Sequence, residues 1–438
     1  MTREAGRPTG PPPAAGSQAV LVVNAGSSSL KLSVIGPDEA VTDRCDIEHW
    51  DGTGDEPALR AFLSRLSGGG GPAAPADEAA AAPTGAGGAD AGGADAGGAG
   101  AGAGGAGAGG ASAGVPVGAI GHRVVHGGSA FTAATLIDDA VLAQIAELTS
   151  LAPLHQPRAL AGIAAASAAF PGVPSVACFD TAFHATLPPE AATYPLPAAW
   201  RDRFGLRKFG FHGLSHGYAS RRAAEMLDNQ EATRLRVVTC HLGAGSSLAA
   251  VQDGRSVETT MGFTPLDGLV MATRCGSIDP GLIMWLADQD RVPLAELADR
   301  LEHGSGLAGL ADLPDGSGDL REVTAAAQRG APSASLALAV HAHRLVAGIA
   351  AMAAAMNGMD ALVFTGGVGE HQPAVRASAA AGLGFLGVAV DPERNAAARA
   401  DADITAPGSR TAALVVTARE DIEIARQTRD LLARIGAG

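Results

Sequence analysis

Two stretches of the chain, one near its start and one near its middle, have the same pattern. VLVVNAGSSSL (Val20–Leu30) and VVTCHLGAGSSL (Val237–Leu248) each contain an apolar run, a polar residue, a turn of small residues rich in Gly and Ser, and a second apolar run. Such runs around a short Gly-containing turn are typical of a β-hairpin. A duplicated domain that opens each half with a hairpin would explain the repeat. Chance similarity of two Gly–Ser turns is the alternative.

Elsewhere, β-rich runs alternate with Ala-rich helical runs, which indicates an α/β fold. The predicted strands are Ala19–Val23, Val117–Ile120, Ser175–Phe179, Val237–Cys240, Ala361–Thr365 and Ala413–Val416. The predicted helices are Asp139–Leu148, His216–Leu227, Ser335–Met356 and Asp421–Arg434.

The composition limits the classes of partner. The chain has 438 residues, enough for two or three domains, and a formal net charge of −14, which argues against nucleic acid or an anionic membrane. Its four cysteines are far apart in sequence, which favours a reduced, cytoplasmic setting. The apolar run Leu345–Met356 is shorter than the ~20 residues that span a bilayer, so we expect no membrane segment.

Two segments have the composition of unfolded chain. Residues 1–16 are rich in Pro and Gly, and we expect a disordered tail. Ser67–Gly114 consists almost entirely of Gly and Ala and cannot bury enough apolar surface to offset the entropy of ordering. We interpret it as a disordered insertion.

The chemistry of the two turns suits phosphate. Glycine lets backbone N–H groups approach an anion, and the serine hydroxyls and Lys31 add donors and charge. An ordinary tight hairpin is the alternative for Asn24–Lys31. The phosphate-loop pattern GxxxxGK[ST] is absent, which argues against that class of nucleotide site.

Other polar clusters interrupt the apolar sequence, several of them directly after predicted strands. They are Gly121–Gly128, Phe179–His184, Gly210–His216, Thr273–Pro280 and Gly366–Glu370. Taken singly, each histidine could be a structural core residue and each arginine a solvated charge. Together with Asn24–Lys31, these motifs resemble the acetate kinase family of the acetokinase and butyrate kinase group.

The resemblance implies an architecture. The family belongs to the actin, sugar kinase and Hsp70 superfamily, so we expect two duplicated ribonuclease H-like domains with a central cleft between them. The N-terminal domain would span 17–184, with the insertion 67–114, and would be completed by a C-terminal helix at 420–438. The C-terminal nucleotide-binding domain would span 185–419. The resemblance also implies a homodimer.

The resemblance implies Mg-dependent, reversible transfer of the γ-phosphoryl group of ATP to acetate, giving acetyl phosphate and ADP. A carboxylate with a pKa of roughly 4 is ionised at neutral pH, so this nucleophile needs no general base. One alternative is a propionate or butyrate kinase, which would differ in pocket volume. A second is a non-catalytic ATP-binding module of the Hsp70 or actin type, which predicts a chain without the combination of Arg123, His212 and Arg274.

The family pattern implies a role for each matching residue. The catalytic set would be Arg123, Asp180, His212 and Arg274, and the acetate site would combine Arg123 with Val125, Leu154, Phe211 and Pro265. Mg, with Mn as an alternative ion, would lie at Asn24 and Glu420. The nucleotide would contact Ser27, Ser29, Lys31, His241, Gly243, Gly245, Asp319, Arg321, Gly367 and Gly369.

The chain departs from the family pattern at two positions. Ala244 stands in the second turn where the family usually has Asn, so we expect one side-chain contact to phosphate to be lost. His371 stands where Asn often follows the Gly–Glu pair, on the side expected to hold adenosine.

Overall fold

The computed structural model describes residues 18–26, 29–68, 116–228, 234–288 and 291–436. The predicted tail 1–16, Ser27 and most of the predicted insertion lie outside the described residues. The insertion follows helix α1 (Pro57–Leu66).

The first half forms a six-stranded mixed sheet with the order β3-β2-β1-β4-β6-β5. β1 pairs antiparallel with β2, with Asn24 opposite Lys31, and parallel with β4. The first predicted hairpin is therefore confirmed. The strands are β1 (Ala19–Ala25), β2 (Ser29–Ile35), β3 (Val41–Glu48), β4 (Val117–Val124), β5 (Thr135–Leu136) and β6 (Ser175–Phe179).

The second half repeats this plan in a sheet with the order β11-β12-β10-β7-β8-β9. β7 and β8 form the second hairpin, with His241 opposite Ser247. Read from the other edge, each strand takes the place of its counterpart in the first sheet, so the echo in the sequence reflects a duplicated fold. The strands are β7 (Arg236–Leu242), β8 (Ser246–Gln252), β9 (Arg255–Thr259), β10 (Ala361–Thr365), β11 (Ala402–Asp403) and β12 (Ala412–Val415).

Helices cover both faces of each sheet, and the four predicted helices match observed ones to within a few residues at each end. The remaining helices, in chain order, are α2 (Asp139–Glu147), α3 (Gln156–Ala169), α4 (Pro189–Ala192), α5 (Ala198–Phe204), α6 (Gly213–Met226), α7 (Pro280–Ala287), α8 (Leu294–His303), α9 (Gly306–Ala311), α10 (Leu320–Gln328), α11 (Pro332–Ala355), α12 (Gly366–His371), α13 (Pro373–Ala381), α14 (Pro392–Ala397) and α15 (Glu420–Gly436).

Helix α11 alone among the described helices has the length and mean hydropathy, 1.5, that could cross a membrane. It packs against β7, β8 and the helices α9, α10 and α13. Its Leu345, Ile349 and Met352 belong to the buried core of the second sheet. These contacts are those of a core helix in an α/β domain.

Two long helices lie between the sheets and join the halves. α15, at the end of the chain, packs on β1, β2, β4 and β6 of the first sheet, and α6 packs on β7 and β10 of the second. The two helices also pack against each other. A Cβ added at Gly121 of β4 would lie 2.5 Å from Thr428 Oγ1, so this glycine permits the close approach of α15. Both helices begin at the cleft between the halves.

Candidate active site

Three polar residues of the first half lie at the carboxyl ends of neighbouring parallel strands. Asn24 is near the end of β1, Arg123 near the end of β4, and Asp180 directly follows β6. Carboxyl ends of parallel strands meet at one edge of a sheet, where ligand sites of α/β proteins form. The fourth member, Glu420, is the first residue of α15.

These four side chains form a continuous hydrogen-bonded cluster. Arg123 donates to Asp180 Oδ2 from Nη2 at 2.6 Å and from Nε at 3.1 Å, and its Nη1 donates to Asn24 Oδ1 at 3.3 Å. Asn24 Nδ2 donates to Glu420 Oε2 at 2.9 Å. Asp180 is buried, and its Oδ1 has no hydrogen-bond partner among the described residues. An orphaned carboxylate oxygen in an ionic cluster is a position where a cation or its bound water fits.

The charges of the cluster depend on one another. Burial raises the pKa of the Asp180 carboxyl, and the Arg123 guanidinium opposes that shift. For Glu420, burial also acts to raise the pKa, but Arg123, His241 and the Asn24 hydrogen bond outweigh it and lower the pKa. Because Arg123 faces both carboxylates, its own pKa is raised despite burial. Removing Arg123 would leave two partly or fully buried acids without their common counter-ion.

The donor set of this cluster suits a hard divalent ion. Asn24, Asp180 and Glu420 offer oxygen atoms, which Mg prefers, and Mg is commonly held by one or two carboxylates together with substrate phosphates and water. No group of three or more His, Cys, Asp or Glu side chains gathers for a metal within the described part of the chain. The residues present therefore fit Mg bound jointly by protein and phosphate.

His212 approaches the cluster from the second half of the site. It precedes α6 with a left-handed backbone, φ 57°, and the next residue, Gly213, donates its N–H to Asp180 O at 2.9 Å. A Cβ at Gly213 would lie 2.1 Å from that oxygen, so glycine is required for this approach. The His212 ring stacks on His241 with centroids 4.3 Å apart.

Both histidines are buried enough to be neutral. Burial, the other histidines and the two arginines Arg123 and Arg274 lower the pKa of His212 well below its usual value. Burial likewise lowers the pKa of His241, whose Nδ1 lies 2.8 Å from Ser215 Oγ. At neutral pH each can donate one hydrogen bond without carrying charge.

Arg274 stands beside the second turn. A Cβ at Gly245 would lie 3.6 Å from Arg274 Nη1 and 3.5 Å from His212 Cε1, so the guanidinium and the imidazole flank this turn. Arg274 Nη2 lies 3.6 Å from Glu302 Oε1, and 19% of its side chain is exposed. His155 was not assigned to the site from the sequence; its pKa is lowered to about 4 by burial and further by the charges of Arg123, Arg274 and Arg158.

A cavity of about 380 Å³, here called the cleft cavity, joins residues from both halves. It brings together seven of the predicted site residues, which are Asn24, Lys31, Arg123, His212, His241, Gly367 and Glu420. The sequence separates these residues by up to 396 positions, the span between Asn24 and Glu420. Their convergence is the central feature of the site.

A second cavity of about 540 Å³, here called the side cavity, lies within the second half and shares Gly367 with the cleft cavity. Its walls include Gly243, Ala244, the Asp319–Arg321 pair and His371. Asp319 caps α10 and is bound by Arg321 Nη2 at 2.6 Å. Gly369 is buried against β10, where a Cβ would lie 3.3 Å from the Phe364 carbonyl carbon.

The predicted apolar pocket is only partly reproduced as a cluster. Val125 and Phe211 pack with Ala152, Met261 and Met271 in one buried apolar cluster. Leu154 is 44% exposed and Pro265 is half-buried, and neither belongs to this cluster. The two methionines were not identified from sequence, because an isolated Met in a loop carries no positional signal.

Sequence reasoning also missed the residues behind His212. Ser247 Oγ lies 2.9 Å from His212 Nδ1 and 2.7 Å from His216 Nε2. The four-residue spacing of His212 and His216 was a usable signal, because residues four apart share a helix face. That Ser247 of the hairpin meets this face depends on tertiary packing.

Comparisons with known proteins agree on one family. The model of the acetokinase family matches residues 112–426. The acetate kinase of Gloeobacter violaceus is 49% identical to this chain over 316 residues, covering 72% of this chain and 77% of that protein. The acetate kinase structure from Porphyromonas gingivalis has a TM-score of 0.76 at 30% identity and covers 95% of this chain and 100% of its own. A propionate kinase from Francisella tularensis has a TM-score of 0.76 at 32% identity, with 94% and 99% covered. The resemblance read from the motifs and the predicted duplicated α/β fold are confirmed.

Proposed function

The chain belongs to the acetokinase family, and from that premise we propose that it catalyses Mg-dependent, reversible transfer of the ATP γ-phosphoryl group to acetate, giving acetyl phosphate and ADP. The observation that carries the proposal is the cleft cavity, where Arg123 of the first half faces His212 and His241 beside the second sheet. The shared Gly367 connects this cavity to a second one large enough for part of a nucleotide.

The chemistry requires two anions to meet. Acetate is already ionised, so the protein has to position it and balance the charge that spreads over the transferring group. Arg123 and Arg274 supply planar, permanently charged forks for this task. Asp180 holds the Arg123 fork through two hydrogen bonds and thereby orients it toward the cleft.

His212 provides a neutral donor for the oxygens of the transferring group. Its low pKa keeps it uncharged, so a hydrogen on Nε2 adds stabilisation without competing with the arginines for position. Asn24 and Glu420, with the free Oδ1 of Asp180, would hold Mg or the water bound to it. When bound, Mg neutralises phosphate charge and aligns the phosphoryl group.

We assign the nucleotide to the cleft and side cavities together. The phosphates would be bound by polar side chains at the first turn, Ser27, Ser29 and Lys31. At the second turn they would be bound by the backbone amides of Gly243 and Gly245, and His241 would donate to them as well. Asp319, Arg321 and Gly367 line the side cavity and would contact the nucleoside. Gly369 packs against β10 next to this cavity, and its lack of a side chain allows that close packing.

The acid is proposed to be acetate. The cluster around Val125 and Phe211 is small, and the flexible side chains of Met261 and Met271 close it. One additional methylene changes binding in an apolar pocket by only about 1–3 kcal/mol, so propionate is expected as a slower substrate. Because one of the solved structures of similar fold is a propionate kinase, propionate is included as a substrate in the assay below.

We further propose a cytoplasmic homodimer built from the predicted domains. The C-terminal helix α15 packs on the first sheet, which supports the proposal that 420–438 completes the N-terminal domain. Helix α7 exposes Leu282, Met284 and Trp285 at 45%, 68% and 57%, an apolar surface that a second copy would cover. Light scattering of the purified chain measures this directly, and a monomer at micromolar concentration would refute it.

The activity is tested by trapping the product. Purified full-length chain is incubated with ATP, Mg and acetate, propionate or butyrate, and acyl phosphate is captured with hydroxylamine. We expect hydroxamate from acetate at the highest rate, and none without Mg or ATP. Faster turnover of propionate or butyrate would reassign the acid. ATP binding without hydroxamate from any acid would instead indicate a non-catalytic ATP-binding module.

A further inference from the structure

His212 is the outermost member of a buried chain of hydrogen-bonding side chains. Its Nδ1 lies 2.9 Å from Ser247 Oγ, which lies 2.7 Å from His216 Nε2, and His216 Nδ1 lies 2.7 Å from Thr239 Oγ1. Ser247, His216 and Thr239 are fully buried. They come from the helix and the hairpin behind the cleft, and none of the roles proposed above includes them.

Two concerted arrangements give every hydrogen of this chain a partner. A neutral imidazole has one nitrogen with hydrogen and one without, and each hydroxyl donates once. In the inward-donating arrangement His212 Nδ1–H donates to Ser247, Ser247 to His216 Nε2, and His216 to Thr239. In the outward-donating arrangement Thr239 donates to His216 Nδ1, His216 Nε2–H donates to Ser247, and Ser247 donates to His212 Nδ1. A third arrangement, in which Ser247 accepts from both rings, leaves its own hydroxyl hydrogen without an acceptor among the described residues. Of the two fully paired arrangements, only the outward-donating one leaves a hydrogen on His212 Nε2.

Distances favour the outward-donating arrangement. If donation runs inward from His212, the Thr239 hydroxyl must donate to the Ala249 carbonyl at 3.4 Å, beyond the usual range of about 2.5–3.0 Å for such a bond. If donation runs outward from Thr239, the same hydrogen enters the 2.7 Å contact with His216. The orientation at the far end of the chain thus determines which nitrogen of His212 carries hydrogen.

The second nitrogen of His212, Nε2, has no hydrogen-bond partner among the described residues and points toward the proposed phosphate turn. A Cβ at Gly245 would lie 3.6 Å from His212 Nε2, on the side where Arg274 Nη1 lies. A bare lone pair there would repel an anionic phosphoryl oxygen, whereas an N–H would bind it. Because burial and neighbouring cations lower the pKa of His212, an imidazolium is not the available donor at neutral pH.

We propose that Thr239, His216 and Ser247 are positioning residues that fix His212 as its neutral Nε2–H tautomer, so that a donor faces the transferring phosphoryl group. The catalytic consequence rests on the proposed function. The tautomer itself is a property of the protein without substrate, so the two can be tested separately.

The chain contains a matched control. Ser256 Oγ lies 2.8 Å from His184 Nδ1, and His184 Nε2 lies 3.0 Å from Phe211 O. Both side chains are buried, as in the Ser247 network. The Phe211 carbonyl accepts the His184 hydrogen, so this tautomer is set without Ser256. Ser256→Ala therefore removes a similar buried Ser–His bond without altering His212.

The direct test is the tautomer in the wild-type protein. Full-length chain labelled with ¹⁵N-histidine is examined by two-bond ¹H–¹⁵N correlation, and His212→Asn identifies the signals of His212. We expect hydrogen on Nε2 and a bare Nδ1 for His212, and the same form for His216. A His212 signal with hydrogen on Nδ1 alone would overturn the proposal, whatever the activity.

The kinetic test compares serine variants. Ser247→Ala is expected to lower kcat about 10- to 100-fold, as loss of a correctly held donor does, with the ATP KM changed less than about 2-fold. Its His212 signal should become a mixture of tautomers, and Ser247→Thr should restore most of kcat. Ser256→Ala should retain kcat near the wild-type value. A Ser247→Ala variant no slower than Ser256→Ala would refute the positioning role. Absence of acyl phosphate from the wild type would refute the function while leaving the tautomer decided by NMR.

Discussion

The two halves share their strand order but differ in the side chains at the strand ends. The first half has Asn24, Lys31 and Arg123 at the ends of its hairpin and of the adjacent parallel strand. The positions that correspond by pairing register in the second half carry His241, Ser247 and Thr365. We call the side of the cleft with Asn24, Lys31 and Arg123 the ionic wall and the side with His212 and His241 the neutral wall. Ser247 and Thr365 are buried behind the neutral wall, and the charged Arg274 lies in a loop beside it.

This difference explains how one fold can hold a reaction between anions. In the ionic wall the carboxylates of Asp180 and Glu420 balance the permanent charge of Arg123. The neutral wall avoids further charge by burying its histidines, so that they donate hydrogen bonds at neutral pH. Duplication gave both halves the same sheet topology. The residues at the strand ends then diverged, so that the first half neutralises charge and the second half donates hydrogen bonds.

The largest effect is expected from breaking the ionic wall with Arg123→Ala. The variant loses the fork that faces the cleft and leaves Asp180 buried without its counter-ion. We expect kcat to fall by on the order of 10³-fold, with little change in ATP affinity, because arginine acts mainly as charge spreads over the phosphoryl group. Steady-state kinetics with the hydroxamate assay measures both quantities.

Two further variants separate catalysis from folding. Arg236 makes a comparable two-pronged pair with Asp360, with contacts of 2.7 and 3.1 Å, at the opposite end of the second sheet. Arg236→Ala should reduce stability and leave kcat intact, whereas Arg123→Lys should fold and still lose most of kcat because the fork is absent. A normal kcat in Arg123→Lys would contradict the clamp.

A smaller effect is expected from Glu420→Gln, which neutralises the proposed metal side of the ionic wall. The amide still accepts from Asn24 but binds a divalent ion weakly, so the Mg concentration for half-maximal rate should rise about 10-fold or more. Titration of the rate with Mg at saturating ATP tests this. Glu225→Gln, a change at a partly exposed glutamate paired with Arg221 and Arg222, is the control. An unchanged Mg requirement would show that Glu420 does not help to hold the ion.

The third prediction concerns stability and compares His122 in β4 with its counterpart Phe364 in β10. Burial lowers the pKa of His122 to about 3, and neither ring nitrogen has a partner among the described residues. The unfolded histidine, with a pKa near 6.5, takes up a proton as the pH falls below that value, and the folded one does not. Stability is therefore lost on acidification between about pH 6.5 and 3.

His126, His155, His184 and His341 add to the same trend, since burial is the main cause that lowers the pKa of each to about 4. Each histidine contributes on the order of 1 kcal/mol of lost stability between pH 7 and 5.5. Urea denaturation at the two pH values measures the sum. His122→Leu should reduce the loss of unfolding free energy between the two pH values by the contribution of one histidine. An undiminished loss would show that His122 is not protected from protonation.

Most of the secondary structure and the duplication of the fold could be predicted from the sequence, for a physical reason. Apolar periodicity and Gly–Ser turns are local signals, and they located both hairpins and the helices α2, α6, α11 and α15, whereas the 14-residue helix α3 was not predicted. The packing of α15, at the end of the chain, on the first sheet is a tertiary arrangement that no local pattern encodes, and only the family resemblance led us to expect it. No local pattern encodes the hydrogen-bonded chain behind His212 either, because Ser247 contacts His216 only when the hairpin β7–β8 packs against α6. Met261 and Met271 likewise become neighbours of Phe211 through loop packing.

The smallest expected effect sharpens the comparison of the two turns. The first turn can use the side chains of Ser29 and Lys31, whereas Ala244 at the tip of the second is exposed on the side cavity and has no donor. Ala244→Asn adds an amide in open space, and one hydrogen bond to phosphate is worth about 0.5–1.5 kcal/mol, so the ATP KM should fall about 2- to 10-fold. Ala244→Val adds volume without a donor and should not lower it. If Asn and Val behave alike, the backbone amides of the second turn suffice for phosphate, and the lost side chain has no energetic role.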